Sequence, residues 1–212
     1  LQSRGLGDVY KRQGSLVANV VNRHVSLLAS AAATVQSLSG GRAVLGVGTG
    51  AVPGSRFARE QDAIGRELAD GEGRRRHLIE TIESVQLLWR GGGGYEGRVI
   101  QFQELRGVVG PEPMVPIIVG ASGPRTLRLA CEHADGVNLR VTDDTAVLVE
   151  LARGLTDESE FEISVHGDLE AEHPMGGEID SWVELGVARR TLFVAPPFDV
   201  AALVALGDRL TL

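Results

Sequence analysis

Three short runs of this chain bring together residue types that chemistry needs. The first is Arg42 to Gly50, RAVLGVGTG, in which Gly46, Gly48 and Gly50 close an apolar stretch. Glycines at the end of a buried strand let the backbone turn sharply and approach a ligand more closely than side chains would permit. The spacing Gly46, Gly48, Ala51 has the form of a dinucleotide fingerprint. Its context does not, because Val52-Pro53-Gly54 stands where a helix should begin and no acidic residue ends a strand about 20 residues later. The second run is Ser122-Gly123-Pro124, directly after the apolar Val115 to Ala121. A strand that passes straight into a helix start presents unpaired N–H groups and a positive dipole end to an anion, although an ordinary capped turn has the same appearance. A serine-nucleophile elbow would need glycine two residues after the serine, where Pro124 stands. The third run is Asn19 to His24, NVVNRH, where Asn19, Arg23 and His24 fall between a strand and a helix. A lone histidine there is more often a cap or surface residue than a catalyst. Among His77, His133, His166 and His173 no pair has metal-ligand spacing, so no metal is expected, and His166 alone lies at a strand end.

The elements that must position these runs follow an alternating rhythm. Leu16 to Val21 reads as a strand, His24 to Leu38 as an alanine-rich helix stopped by Ser39-Gly40-Gly41, and Arg42 to Gly48 as a strand covered on both faces. Residues 51–73 read as a loop around Pro53-Gly54 and then as a charged, helical stretch. Leu78, Ile79, Ile82, Val85, Leu88 and Trp89 recur at helical spacing until the Gly91 to Gly94 run. Tyr95-Glu96-Gly97 leads a hairpin into Arg98 to Phe102. The rhythm resumes with a strand at Val115 to Ala121, a helix from Pro124 through Glu132, a strand at Gly136 to Val141, and a helix capped by Thr142 that carries Val147, Leu148 and Leu151. A strand at Phe161 to Val165, a helix at Glu178 to Leu185, a strand at Thr191 to Val194 and a helix capped by Asp199, with Val200, Leu203, Val204 and Leu206 inward, complete it. Six strands each followed by a helix fit an open doubly wound sheet, and equally a (β/α)₈ barrel without its first two units.

Composition narrows the function. A chain of 212 residues with 43% hydrophobic content buries a substantial core, and no boundary inside residues 14–212 marks a second domain. Residues 1–13 show no periodicity and hold Lys11, the only lysine, so they read as a non-native or disordered leader. A net charge of -7 argues against nucleic-acid or membrane-surface partners. Arg74 to Arg76, beside Glu72 and Glu80 at a helix start, read as a solvated face. A single cysteine, Cys131, sits in an apolar helical run and fits a core position in a reducing compartment. With no apolar run long enough to span a bilayer, a cytoplasmic location is expected.

NRH, then Ser37-Leu38-Ser39-Gly40-Gly41-Arg42, LGVGTG, a later YEG and PIIVGASGPRTLRLACEHADGV occur in an order and spacing that resemble the luciferase-like oxidoreductases. The resemblance is strongest over residues 19–50 and 78–140. It implies a (β/α)₈ TIM barrel in which the present strands are three to eight, with FMN or the deazaflavin coenzyme F420 at the strands' C-terminal ends. Leu16 and Val17 match the bulge where the family often has a non-proline cis peptide behind the flavin ring. Asn19 matches a ring contact, Thr49 and Gly50 match cofactor contacts, and Ser122, Gly123 and Pro124 match the phosphate cradle. Arg23, His24 and His166 are the substrate candidates, and no residue is assigned as catalytic. The sugar-phosphate dehydrogenases of the family carry a glutamate directly after the Gly-Thr-Gly turn, where this chain has Ala51. Gly46-Val47-Gly48-Thr49-Gly50 looks like the deazaflavin branch, which implies F420-dependent hydride transfer to or from a small organic substrate, with a homodimer favoured. The alternatives are an FMN-dependent monooxygenase served by a separate flavin reductase, and a noncatalytic flavin-binding relative or inactive fragment.

Overall fold

The strands lie side by side in the order in which the chain makes them. The structure, a computed structural model, describes residues 12–55, 57–105, 107–157, 161–168, 179–193, 196, 199–201 and 204. Its sheet is parallel throughout: β1 (Gln13–Gly14) and β2 (Ala18–Asn19) both pair with β3 (Ala43–Gly48). After a hairpin of β4 (Tyr95–Glu96) and β5 (Gln101–Phe102), the ladder continues through β6 (Ile117–Ala121), β7 (Gly136–Arg140), β8 (Glu162–Asp168) and β9 (Arg189–Phe193). A doubly wound sheet reverses its strand order at a switch point. This sheet never does, so of the two architectures the rhythm allowed, the barrel is the one formed, as a curled set of six strand positions.

β1 and β2 are two halves of one strand, and this corrects the expected strand at Leu16 to Val21. The register moves from Gly14 opposite Val44 to Ala18 opposite Val47, so four steps on one side match three on the other. The extra residue is a bulge over Ser15 to Val17, which contains the cis peptide Leu16–Val17 expected at this point. Ser15 Oγ donates to the Gly46 carbonyl at 2.7 Å and holds the bulge against β3. Val20 and Val21 belong to the turn that follows.

Helix α1 (Val25–Ser39) begins where His24 Nδ1 accepts the Ser26 N–H, and ends at Gly40, whose φ of 66° is the left-handed stop that glycine supplies. It buries Val25, Leu28, Ala29 and Ala33. A short helix, α2 (Ala58–Ala63), precedes α3 (Gly71–Trp89), which starts well before its first apolar repeat because Asp70 accepts the Gly73 N–H at 2.7 Å. Leu78 and Leu88 of α3 are fully buried, each contributing about 1.5–3 kcal/mol. Trp89 Nε1 donates to the Ala29 carbonyl at 3.0 Å and joins α3 to α1. The hairpin is tied down by Glu80, whose carboxylate accepts the N–H groups of Arg98, Val99 and Ile100 at 2.8–2.9 Å. Burial opposes its charge, but those three bonds and Arg76 outweigh it and hold the pKa below the usual range.

Helices α4 (Pro124–His133), α5 (Thr145–Arg153) and α6 (Ile179–Glu184) follow β6, β7 and β8 in turn. α5 departs from expectation at its start and on one face. Thr142 does not cap it; the Thr145 hydroxyl accepts the Thr142 N–H and donates to the Arg140 carbonyl. Leu148, Val149 and Ala152 face inward while Val147 is exposed. At the far end Val200 and Val204 are exposed rather than inward, and Leu203 and Leu206 lie outside the described residues. Of the expected leader, residues 1–11 lie outside the described residues, Arg12 comes within 3.8 Å of Glu162, and Gln13 pairs with Ala43.

Candidate active site

A cavity of about 1030 Å³ opens across the C-terminal ends of β2, β3, β6, β7, β8 and β9. A smaller hollow of about 480 Å³ lies at the opposite ends, beside Arg12, Asp135 and Glu162. In barrels of this architecture the chemistry belongs to the C-terminal face. The larger cavity brings together Leu16, Val17, Asn19, Thr49, Gly50, Ser122, Gly123, Pro124 and His166, which come from three separate runs of sequence and one strand end.

Glycine shapes the floor. A Cβ on Gly46 would stand 1.9 Å from the Ser15 carbonyl oxygen, and one on Gly48 2.6 Å from a Val17 methyl. At Gly120 both Val17 methyls would be met, at 3.0 and 3.2 Å. Gly48 and Gly120 therefore make room for the Val17 side chain and Gly46 for the Ser15 backbone, and the floor beneath the cavity is backbone and valine.

Asn19 sits at one rim. Its Oδ1 accepts the Val21 N–H at 2.9 Å, and its Nδ2 donates to Gln61 Oε1 at 3.1 Å. Gln61 of α2 is fully buried; its Oε1 also accepts the Ala51 N–H at 3.3 Å and its Nε2 donates to the Glu67 carbonyl at 2.8 Å. This amide joins the crest of β2, the turn after β3 and the loop after α2. Gly50, at φ 83°, passes so close that a Cβ would meet Asn19 Oδ1 at 2.8 Å. Gln61 is a site residue that sequence reasoning missed, since one glutamine in a charged stretch carries no period.

At the opposite rim Ser122 and Gly123 lead into α4 with Pro124 at its first turn, and the space where a Cβ of Gly123 would lie is open. Arg74, Arg75 and Arg125 line the same cavity. This corrects the solvated reading for Arg74 and Arg75, while Arg76 does not line the cavity: α3 starts at Gly71, and Arg74 reaches the β3 crest, its Nη1 3.5 Å from the Gly50 carbonyl. A cationic wall and a helix start with free N–H groups suit a phosphate-bearing ligand, and a glycine-cleared floor suits a flat ring.

On β7 and β8, Asn138 and Ser164 are both buried, each between apolar neighbours. Asn138 Nδ2 donates to Ser164 Oγ at 2.9 Å, and Asn138 Oδ1 lies 2.5 Å from His166 Nδ1. Burial foremost, and then the Arg140 guanidinium, hold the His166 pKa below its ordinary value against the opposing Asp168. Arg23 and His24 are placed elsewhere. Neither lines the cavity; both are exposed, and the His24 ring is engaged in capping α1 and rests 6.3 Å from Phe102. No cluster of His, Cys, Asp and Glu suited to a metal occurs among the described residues, and His173 lies outside them. Among the described residues no helix is long and apolar enough to cross a membrane.

A parallel barrel sheet with a glycine-floored cavity at its strand ends, walled by arginine and a helix start, defines an α/β barrel with its candidate site at the C-terminal face. The sequence signature described as luciferase-like monooxygenase matches residues 12–164, and the chain belongs to that family. It is 34% identical over 126 residues to a 5,10-methylenetetrahydromethanopterin reductase of Archaeoglobus fulgidus, and 34% identical over 123 residues to an F420-dependent glucose-6-phosphate dehydrogenase of Microbacterium testaceum. Each match takes in 58% of this chain and 35% of the relative, so the matched part spans about a third of those proteins. Among solved structures, an F420-dependent secondary alcohol dehydrogenase in complex with an F420-acetone adduct superposes with a TM-score of 0.73 at 14% identity, over 90% of this chain and 76% of that one. An EDTA monooxygenase from a Chelativorans species gives 0.68 at 13% identity, over 92% and 71%. These two likenesses establish the fold.

Proposed function

We propose that the protein is a coenzyme F420-dependent oxidoreductase that moves hydride between the deazaflavin and a small organic substrate. The cavity carries this reading: one continuous wall joins the Val17 bulge and its glycines to the Ser122–Gly123–Pro124 helix start and the arginines. Leu16, Val17, Asn19, Thr49 and Gly50 would hold the ring, and Ser122 and Gly123 with the first turn of α4 the phosphate. When bound, the cofactor supplies the hydride chemistry, while the protein orients the ring, presents the substrate and handles protons. The curated relatives reported above, one named as F420-dependent, support the deazaflavin over FMN.

Glucose 6-phosphate is not the substrate in this reading, because Ala51 replaces the glutamate that follows the Gly-Thr-Gly turn in those dehydrogenases. The reading extends to a cytoplasmic homodimer acting on a small molecule. The FMN-dependent alternative, with a separate reductase, draws on neighbours such as a 3,6-diketocamphane monooxygenase solved with FMN, at a TM-score of 0.57. Titrating the full-length protein with F420 and with FMN, followed by cofactor fluorescence, tests the choice. F420 is expected to bind at least tenfold more tightly; preferential binding of FMN overturns the proposal.

A further inference from the structure

The hydrogen bonds around His166 run in one direction. They start at the Val137 carbonyl, which can only accept, and Ser164 Oγ donates its single proton there at 3.1 Å. Ser164 Oγ is then an acceptor toward Asn138, so the amide nitrogen faces it at 2.9 Å and the amide oxygen faces the imidazole. An amide oxygen only accepts, so the proton between Asn138 and His166 belongs to His166 Nδ1. Asn138 and Ser164 are each 3% exposed and are register partners on neighbouring strands, so the relay is fixed in the sheet. The Phe193 ring meets the imidazole edge-on at 5.3 Å and limits its rotation. Among the described residues nothing bonds Nε2, and His166 forms part of the cavity wall.

We infer that His166 is the proton acceptor for an alcohol substrate, held as the Nδ1–H tautomer by Asn138 and Ser164 so that its Nε2 lone pair faces the cavity. This rests on the hydride-transfer reading above. In the oxidising direction the substrate O–H bond breaks toward Nε2 and gives imidazolium, while the C–H bond of the same carbon breaks with its electron pair going to the deazaflavin. The alcohol loses one proton and one hydride, becomes a carbonyl, and His166 later releases its proton to water. The reverse direction uses the imidazolium as donor to a carbonyl oxygen. Asn138 and Ser164 are positioning residues. The charged groups facing the ring are Arg140 of β7 and Asp168 of β8 itself, which lie 3.4 Å apart. Arg140 and burial keep the imidazole neutral near pH 7, as a proton acceptor must be.

Nitrogen-15 NMR of the full-length, cofactor-free protein at pH 8 reads the tautomer directly, with His166→Gln assigning the signal. A protonated Nδ1 and a pyridine-type Nε2 are expected; the opposite pattern overturns the inference. Asn138→Leu is expected to release the bias and give a mixture of tautomers, and an unchanged pattern also overturns it. With F420 bound, His166→Gln is expected to slow alcohol-driven F420 reduction by about 100-fold or more while leaving F420 affinity within twofold. Equal rates, or a wild type that oxidises none of a panel of primary and secondary alcohols, refute the role. Failure to bind F420 instead refutes the proposed function and leaves the tautomer result standing, so the two failures are distinguishable.

Discussion

The floor of the cavity can be tested by separating two clashes that look alike in sequence. Gly46→Ala puts a methyl 1.9 Å from the Ser15 carbonyl oxygen, which is backbone pinned by the Ser15–Gly46 hydrogen bond. Gly48→Ala puts one 2.6 Å from a Val17 methyl, which belongs to a side chain stiff at χ1. Ordinary carbon contacts lie near 3.5–4.0 Å, and overpacking of this kind costs about 1–3 kcal/mol. Gly46→Ala belongs at or above the upper end, about 3 kcal/mol, because two strands must separate. Gly48→Ala belongs near 1–2 kcal/mol. Val17 is 38% exposed, so Val17→Ala alone is expected to cost under about 1 kcal/mol. In the Val17→Ala background the cost of Gly48→Ala should then fall by about 1 kcal/mol, whereas that of Gly46→Ala should not change. Gly154→Ala is the control: its φ is -68° and the nearest atoms lie at 3.6 Å, so it should be neutral or slightly stabilising.

Urea unfolding of the full-length protein, followed by tryptophan fluorescence from the buried Trp89 and Trp182, measures all of these. Equal cost for Gly48→Ala in both backgrounds would show that Val17 is not what the glycine accommodates. A Gly46→Ala variant no less stable than Gly154→Ala would refute the bulge geometry itself.

Two further outcomes follow from buried polar groups. Gln61→Ala leaves the Ala51 N–H and the Glu67 carbonyl without their partner, so a loss of about 1–3 kcal/mol in the same unfolding assay is expected, with weaker cofactor binding because Asn19 is released. Glu80→Gln should flatten the acid side of the stability profile. The folded pKa of Glu80 lies below its unfolded value near 4.3, so its contribution is complete above that value and disappears as pH falls through the folded pKa; wild type and variant should converge at the acid end of a pH series of urea midpoints.

The barrel was legible because its strands are buried on both faces and its helices on one. Val44 to Val47 and Ile117 to Val119 read as continuous apolar runs, and the Gly40 stop and the Pro124 start were visible as residue types. The choice between barrel and doubly wound sheet was not legible in the periodicity, since it depends on which strands become neighbours and no local period encodes that; the order and spacing of the motifs that resemble the luciferase-like oxidoreductases pointed to the barrel, and the sheet order bears it out. The bulge in the first strand was legible only through the resemblance at Leu16 and Val17: a bulge is a mismatch between two strands, and the residue pattern alone reads Leu16 to Val21 as one strand until it is set against Val44 to Val47. Arg74 was misread for a related reason. Arg74 and Arg75 stand beside Glu72 at the start of the helix, which suits a solvated face, and the crest of β3 that their side covers comes from another part of the chain.

Polar residues inside apolar strands were the available signal that went unread. Asn138 interrupts Gly136-Val137-Asn138-Leu139, and Ser164 interrupts Ile163-Ser164-Val165; a strand covered on both faces excludes such residues unless they are bonded. Two of them at register partners imply one shared network, and His166, two residues beyond Ser164 on the same face, is the group on which that network ends. Ala51 gives this network added weight. The turn after β3 offers no acid, Glu60 on the cavity wall is bonded to Asn22, and Asp168 is paired with Arg140 at the exposed rim. Of the titratable groups in the wall among the described residues, His166 is the one whose surroundings hold its pKa down and fix which nitrogen carries its proton. With alanine at position 51, the proposed proton transfer is expected to rest on His166 and not on the turn after β3, so Ala51→Glu should leave the Nδ1–H tautomer of His166 unchanged in the nitrogen-15 spectrum.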